Sequence, residues 1–246
     1  MIDQNQNIQF KLNLELIDHV QGLIGIKDDQ GIKKLFNGFH YADIAEILNE
    51  LNFEESIYVI KLLDSKKTSD VLTEIDEDIR EKVLDRLSNK EIAEEIEELD
   101  TDDATDIIAE LPVERQEDVI SKIEDEELKA EIKELLNYDE DSAGGLMAKE
   151  LVKVYETWTV GGCLRKIRAQ AENVTRVHSI YVVTKKEELI GRLSLKDLIT
   201  AKSDQKIADI YISNVDYANV NDEVEDVGKI MRKYDLEPSR VPDGDT

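Results

Sequence analysis

Between Ala42 and Asn137 the chain repeats an apolar ladder with a step of twelve residues, and that step limits what it can fold into. Leu51, Leu63, Ile75, Leu87, Leu99, Leu111, Ile123 and Leu135 mark the step. Three residues before each marker stands a second apolar residue: Leu48, Ile60, Leu72, Leu84, Ile96, Ile108, Ile120 and Ile132. Six of the eight units add a third, four before the marker, at Ile47, Val59, Val71, Val83, Ile107 and Val119. An i, i+1, i+4 pattern lies on one face of a helix, so each unit predicts a helix of about two to three turns followed by a tight turn. Helices that short do not hold in water alone, because nucleation costs more than a few hydrogen bonds return. They must stack, and stacking them makes a helical solenoid. A continuous coiled coil would need a period of seven, which the ladder excludes. In the unit "DTDDATDIIAEL" Thr101 is the expected N-cap, and Pro112 is expected where the next unit begins. Residues 1–41 read as a variable cap, helical around Ile8 to Ile24 and turn-rich through Gly31 and Gly38.

After Gly145 the apolar period shifts from 3.6 to 2. "LVKVY" predicts a strand, Thr159 to Gln170 a helix, "SIYVVT" and "LIGRLSL" two strands joined by the polar turn "KKEE", and "LKDLITA" a helix. That order is β-α-β-β-α. The same pattern begins again further on, with a strand expected near Tyr217 to Val220 and a helix from Asp222 to Lys233. The pair Gly144-Gly145 stands at the change of period. A phosphate-binding loop would need Gly-Lys-Ser/Thr, and here Leu146 and Met147 follow. The pair is therefore expected to turn the backbone from the last helix into the first strand, through the positive φ that only glycine takes freely.

A net charge of −26, from 57 acids against 31 bases, excludes nucleic acid and an anionic membrane surface as partners, since each phosphate would meet repulsion. Cys163 is the single cysteine, so there is no disulfide framework and no thiolate zinc site. It falls on the apolar side of a predicted helix and reads as a small buried hydrophobe, as Trp158 reads as a packing residue. "MIDQNQNIQFKL" lacks the features of a secretory signal, and no apolar run approaches a membrane span. HExxH and GxSxG are missing, and His19, His40 and His178 are scattered without ligand spacing, so an enzyme is not expected. Two acidic features remain. Asp102 and Asp106, four apart, place both carboxylates on one helical face, where a hydrated divalent cation would relieve their repulsion; an Asp in a first turn is equally favoured by the helix dipole. Ser194 and Asp197 form an S-x-x-D phrase of the capping-box kind.

At these residues the chain resembles a known family. "YDEDSAGGLMAKELVKVYETWTV" resembles the junction sequence of the MgtE magnesium channels and transporters, and the twelve-residue ladder resembles their N domain. "SIYVVTKKEELIGRLSLKDLI" is similar to the first CBS motif of that family, and the likeness runs from about residue 40 to 236. The resemblance implies a multidomain α plus α/β chain: a right-handed superhelix of short helices over 1–136, a first CBS motif over 137–202, and the start of a second, incomplete, over 203–246. It implies a cytosolic Mg²⁺-sensing regulatory region at the cytoplasmic face of the cell membrane, which closes a pore when internal Mg²⁺ is high. The implied partners are a C-terminal transmembrane pore domain of the same polypeptide and a second copy, as a homodimer through the CBS motifs. Asp70, Asp102 and Asp106 match acidic Mg²⁺ ligands of the N domain, and Glu223, Glu225 and Asp235 fall on acidic positions of the CBS side. Asp197, with Ser194, falls where CBS motifs bond the ribose of ATP. Leu236 and Ser179 depart from the family there, at an aromatic that would stack on adenine and at a tyrosine. The alternative function is a soluble adenine-nucleotide-responsive CBS module acting on a partner protein.

Overall fold

The structure, a computed structural model, describes residues 12–170, 179–213, 215 and 217–234. Its contacts divide the chain into two compact units, Met1–Leu99 with Asp106–Glu126, and Asp100–Thr105 with Glu127–Thr246.

Each step of the ladder is one helix. After α1 (Leu14–Gly25) and α2 (Asp29–Phe36) come α3 (Tyr41–Glu50), α4 (Phe53–Ile60), α5 (Ser65–Glu74), α6 (Glu77–Leu84), α7 (Asn89–Ile96), α8 (Thr101–Ala109), α9 (Val113–Lys122) and α10 (Glu126–Leu135). All eight residues three before a marker and all six four before it are buried. Of the markers themselves only Leu63 and Leu99 keep partial exposure. The caps follow the same step: His40, Asn52, Asp64, Asp76, Ser88 and Pro112 each precede a helix. Asn52 with Glu55 and Ser88 with Glu91 form reciprocal boxes, so the first N–H groups of α4 and α7 are satisfied locally and the helix restarts on schedule. In the first unit, helices two apart in sequence lie side by side, α3 on α5, α5 on α7, α7 on α9 and α4 on α6. The structural repeat is thus a pair of ladder steps. Side chains tie successive pairs: Arg80 Nε donates to the Glu110 carboxylate at 2.9 and 3.0 Å, and Arg115 Nη2 donates to Leu84 O at 3.2 Å and Leu87 O at 3.0 Å.

The expectation of turns around Gly31 is corrected, because Gly31 lies inside α2. A Cβ there would stand 2.5 Å from the Asp28 carboxylate, which accepts from Gly31 N–H as the cap. A side chain there would press on the capping carboxylate, which would have to shift. Residues 1–11, including Ile8, lie outside the described residues.

In the second unit β1 (Val152–Tyr155), α11 (Val160–Gln170), β2 (Ile180–Val183), β3 (Leu189–Leu193) and α12 (Leu195–Thr200) follow the order expected. The sheet runs β1-β2-β3, with β1 parallel to β2 through the α11 crossover and β2 antiparallel to β3. Val152, Val154, Cys163, Ile180, Val182, Leu193 and Leu198 close its core, and Trp158 packs against them. After a 3-10 turn at Ile207–Asp209 the chain reaches α13 (Val224–Tyr234).

Two expectations fail here. Tyr217 to Val220 form no strand, because that backbone is engaged elsewhere: Val220 O accepts from Gly144 N and Asp222 O from Ala143 N, both at 2.8 Å. Val224 N donates to Asp141 O at 3.0 Å, so the junction and the start of α13 are laced together. Nor do Gly144 and Gly145 use positive φ; among the described residues no glycine does. A Cβ on Gly145 would meet Asp139 O at 2.3 Å, and one on Gly144 would meet the Tyr138 ring at 2.7 Å and Val220 O at 3.0 Å. The pair is glycine because other backbone passes against it.

Candidate functional site

The site grows from the start of α8. Ala104 N donates to Asp100 O at 2.9 Å, which puts Asp100 at the N-cap position and makes Thr101 the first helical residue, not the cap. Thr101 is fully buried and works in the other direction. Its N–H donates to Glu150 Oε1 at 2.7 Å, its hydroxyl to Glu150 Oε2 at 3.2 Å, and the same hydroxyl oxygen accepts from Lys149 N at 2.7 Å. The carboxylate of Glu150 thereby caps α8 from a distant segment, at the end of the helix where the dipole favours negative charge.

This fixes Glu150 beside two further acids. Oxygens of Asp100, Asp102 and Glu150 all lie within 4.8 Å of one another, on half-buried side chains, and Asp102 Oδ1 is shielded from solvent. Carboxylates gathered this closely can share one hard cation, and Mg²⁺ held by so few protein oxygens keeps part of its water. The surroundings are electronegative: burial pushes the Glu131 carboxyl above the ordinary glutamate value, with Glu150 and Glu127 adding to it and Lys149 opposing. Lys149 Nζ lies 2.5 Å from Glu134 Oε1.

The acids singled out in the sequence are distributed as follows. Asp102 belongs to this group. Asp106 stands one turn further along α8 and is exposed. Asp70 lies half-buried on α5, where burial raises its pKa and Lys66 and His40 pull it back. Glu223 and Glu225 are exposed at the start of α13, and Asp235 lies outside the described residues, as do Leu236 and His178. Among the described residues no second group of three acidic, histidine or cysteine ligands forms. Sequence reasoning missed Asp100 and Glu150. Asp100 had a signal, being the acid that opens the run before α8; Glu150 had none, because its partner Thr101 is 49 residues away.

Ser194 caps α12, accepting from Asp197 N at 3.0 Å and donating to Asp197 Oδ2 at 2.6 Å. The capping-box phrase is realised with a hydroxyl–carboxylate bond in place of the usual reach of the acid to backbone. A cavity of about 320 Å³ lies beside Trp158, Thr159, Gly162, Arg165 and Lys166 at the start of α11. The first four N–H groups of that helix are already committed, to Gln205 O, Ser203 O, Thr159 Oγ1 and Thr159 O, so the cavity offers an anion no backbone donors. Cys163 is buried and its thiol is pushed up to about 11 by burial, which makes it a core residue rather than a nucleophile.

A ladder of short capped helices followed by a β-α-β-β-α module is the architecture of a helical-repeat domain joined to a CBS module. The family described as the MgtE intracellular N domain matches residues 39–141, and that described as the CBS domain matches 143–204. The magnesium transporter MgtE of Thermus thermophilus is 41% identical over 102 residues, 42% of this chain and 23% of that protein. The magnesium transporter MgtE of Enterococcus faecalis is 35% identical over 111 residues, 45% of this chain and 24% of that protein. Each match thus covers about a quarter of the relative's length. Among solved structures, the cytosolic domain of the Mg²⁺ channel MgtE in complex with ATP superposes with a TM-score of 0.83 at 31% identity, covering 89% of this chain and 90% of that one. The soluble part of a magnesium transporter superposes with a TM-score of 0.77 at 27% identity, covering 90% and 87%. The chain belongs to the MgtE family. No helix among its described residues is long and apolar enough to cross a membrane.

Proposed function

We propose that this chain is the cytosolic Mg²⁺-sensing region of a magnesium transporter or channel, and that it closes a membrane pore domain of the same polypeptide when internal Mg²⁺ is high. The observation that carries the reading is the convergence of Asp100, Asp102 and Glu150 where α8 begins. Asp70, Asp106, Glu223, Glu225 and Asp235 are the further acids that would contribute ions of their own. Mg²⁺ releases its water reluctantly and is held by few carboxylates, so weak half-hydrated sites fit a sensor of an abundant ion. An ion that binds the closed form more tightly shifts the population toward it, by no more than its differential affinity. ATP is a second ligand in this reading, with Asp197 and Ser194 at the ribose. Support for it comes from the ATP complex of the 31% identical relative. Pairing of two copies through the CBS module completes the proposed assembly.

Calorimetric titration of the chain with MgCl₂, against NaCl of equal ionic strength, tests the ion site. Heat that saturates for Mg²⁺ and is reduced in Asp100→Asn/Asp102→Asn is expected. Identical heats in the parent and the double variant would remove these residues from the mechanism.

A further inference from the structure

The ladder position four before each marker carries a buried aliphatic residue in six units, and Glu95 in α7 takes that place in another. It is half-buried against α5, and its carboxylate meets two serines there. Ser65 Oγ lies 3.1 Å from Glu95 Oε2. Ser69, fully buried, has its Oγ 2.9 Å from Glu95 Oε2, 2.8 Å from Glu95 O and 2.9 Å from Ser65 O. A serine hydroxyl owns one proton and two lone pairs. Two of its three neighbours are backbone carbonyls, which only accept, so that single proton is already claimed twice. An ionised Glu95 would add a third acceptor and set lone pair against lone pair at 2.9 Å. A protonated Glu95 removes the third claim: Oε2–H donates to Ser69 Oγ, the Ser69 proton is shared between the two carbonyls, and Ser65 donates to the remaining lone pair of Oε2.

We propose that Glu95 is protonated in the packed repeat and donates its carboxylic proton to Ser69, so that the seam between α5 and α7 is a proton-sensitive latch. The inference does not rest on the ion-binding reading. The charged surroundings agree with it. Burial is the main cause that holds Glu95 above the ordinary glutamate value; hydroxyl donation from Ser69 and Ser65 would lower it, and the neighbouring carboxylates Glu94 and Glu98 raise it. On α5, Lys67 is bonded to Phe36 O and Lys66 acts on Asp70. On α9, Arg115 is bonded to Asp85 and Asn89, and Asp118 to Asn89 and Lys122, while Glu114 and Glu117 are exposed. The folded chain thus holds this proton more tightly than the unfolded one. The latch contributes fully below the ordinary glutamate value and is lost as pH rises through the raised folded value.

The test uses the full chain with ¹³C-carboxyl-labelled glutamate, Glu95→Gln assigning the Glu95 signal. The Glu95 resonance should titrate at higher pH than those of the exposed glutamates, and Ser69→Ala should move it down, because the acid loses its acceptor. A wild-type midpoint among the exposed glutamates overturns the proposal. So does a midpoint that stays or moves up in Ser69→Ala, the result expected if the hydroxyl donated to a carboxylate. Should Ser69→Ala fail to fold, the wild-type midpoint decides alone.

Discussion

At the scale of single residues, most of what holds the candidate site is done by Thr101. Its hydroxyl both receives the Lys149 N–H and donates to Glu150, so Thr101→Val keeps the shape and removes both bonds. The half-buried Lys149 N–H left behind loses its acceptor, and a loss of about 1–2 kcal/mol is expected in urea unfolding, with Thr101→Ser close to the parent. The sequence marked Thr101 as a cap because Ser and Thr before an acidic first turn read that way. What it could not show is that Glu150, across 49 residues, supplies the cap instead. Asp102 was legible from its spacing to Asp106, whereas its observed neighbours Asp100 and Glu150 depend on how the chain returns. Cys163 was legible throughout. With the thiol buried and pushed up to about 11, iodoacetamide at pH 8 should leave the folded chain unmodified, and full labelling should appear only in denaturant, where the pKa returns to about 8.5.

At the scale of elements, the helical half could be read almost completely, because a period of twelve puts the same face inward at every step and the caps recur with it. Periodicity needs no knowledge of partners. The junction needed that knowledge. A glycine signals either unusual φ or close approach, and composition does not say which; only the passage of Asp139 and Val220 against Gly145 and Gly144 decides it. The missing strand at Tyr217 to Val220 has the same origin, since a run of strand-forming residues forms no ladder when its backbone is bonded to a turn. The distinction predicts opposite outcomes for two identical substitutions. Gly145→Ala forces a Cβ into Asp139 O, a backbone atom that cannot swing aside, and should cost about 1–3 kcal/mol. Gly22→Ala, inside α1 with nothing within 4 Å of the new Cβ, should raise stability by about 0.5–1 kcal/mol. Thermal or urea melts of the two variants separate these outcomes.

At the scale of the whole molecule, a charge of −26 is a load that every folded arrangement must carry. Exposed ion pairs such as Lys90–Glu94 and Lys229–Asp226 relieve little of it, because water and salt screen them and both side chains lose freedom to pair. Two kinds of cation should therefore stabilise the chain for different reasons. Sodium chloride shortens the screening length from about 30 Å at 0.01 M to about 8 Å at 0.15 M, and the urea midpoint should rise over that range and then level off. Magnesium chloride at the same ionic strength screens equally, so any further rise measures binding to the native state, which reaches about 2.7 kcal/mol when the ion stands at one hundred times its dissociation constant. Asp100→Asn/Asp102→Asn removes two negative charges and should lift the midpoint in low sodium, while reducing the part of the magnesium effect that exceeds sodium. Screening and site binding then move in opposite directions in one variant. An excess left undiminished by the double substitution would place the ions only on other carboxylates of the chain.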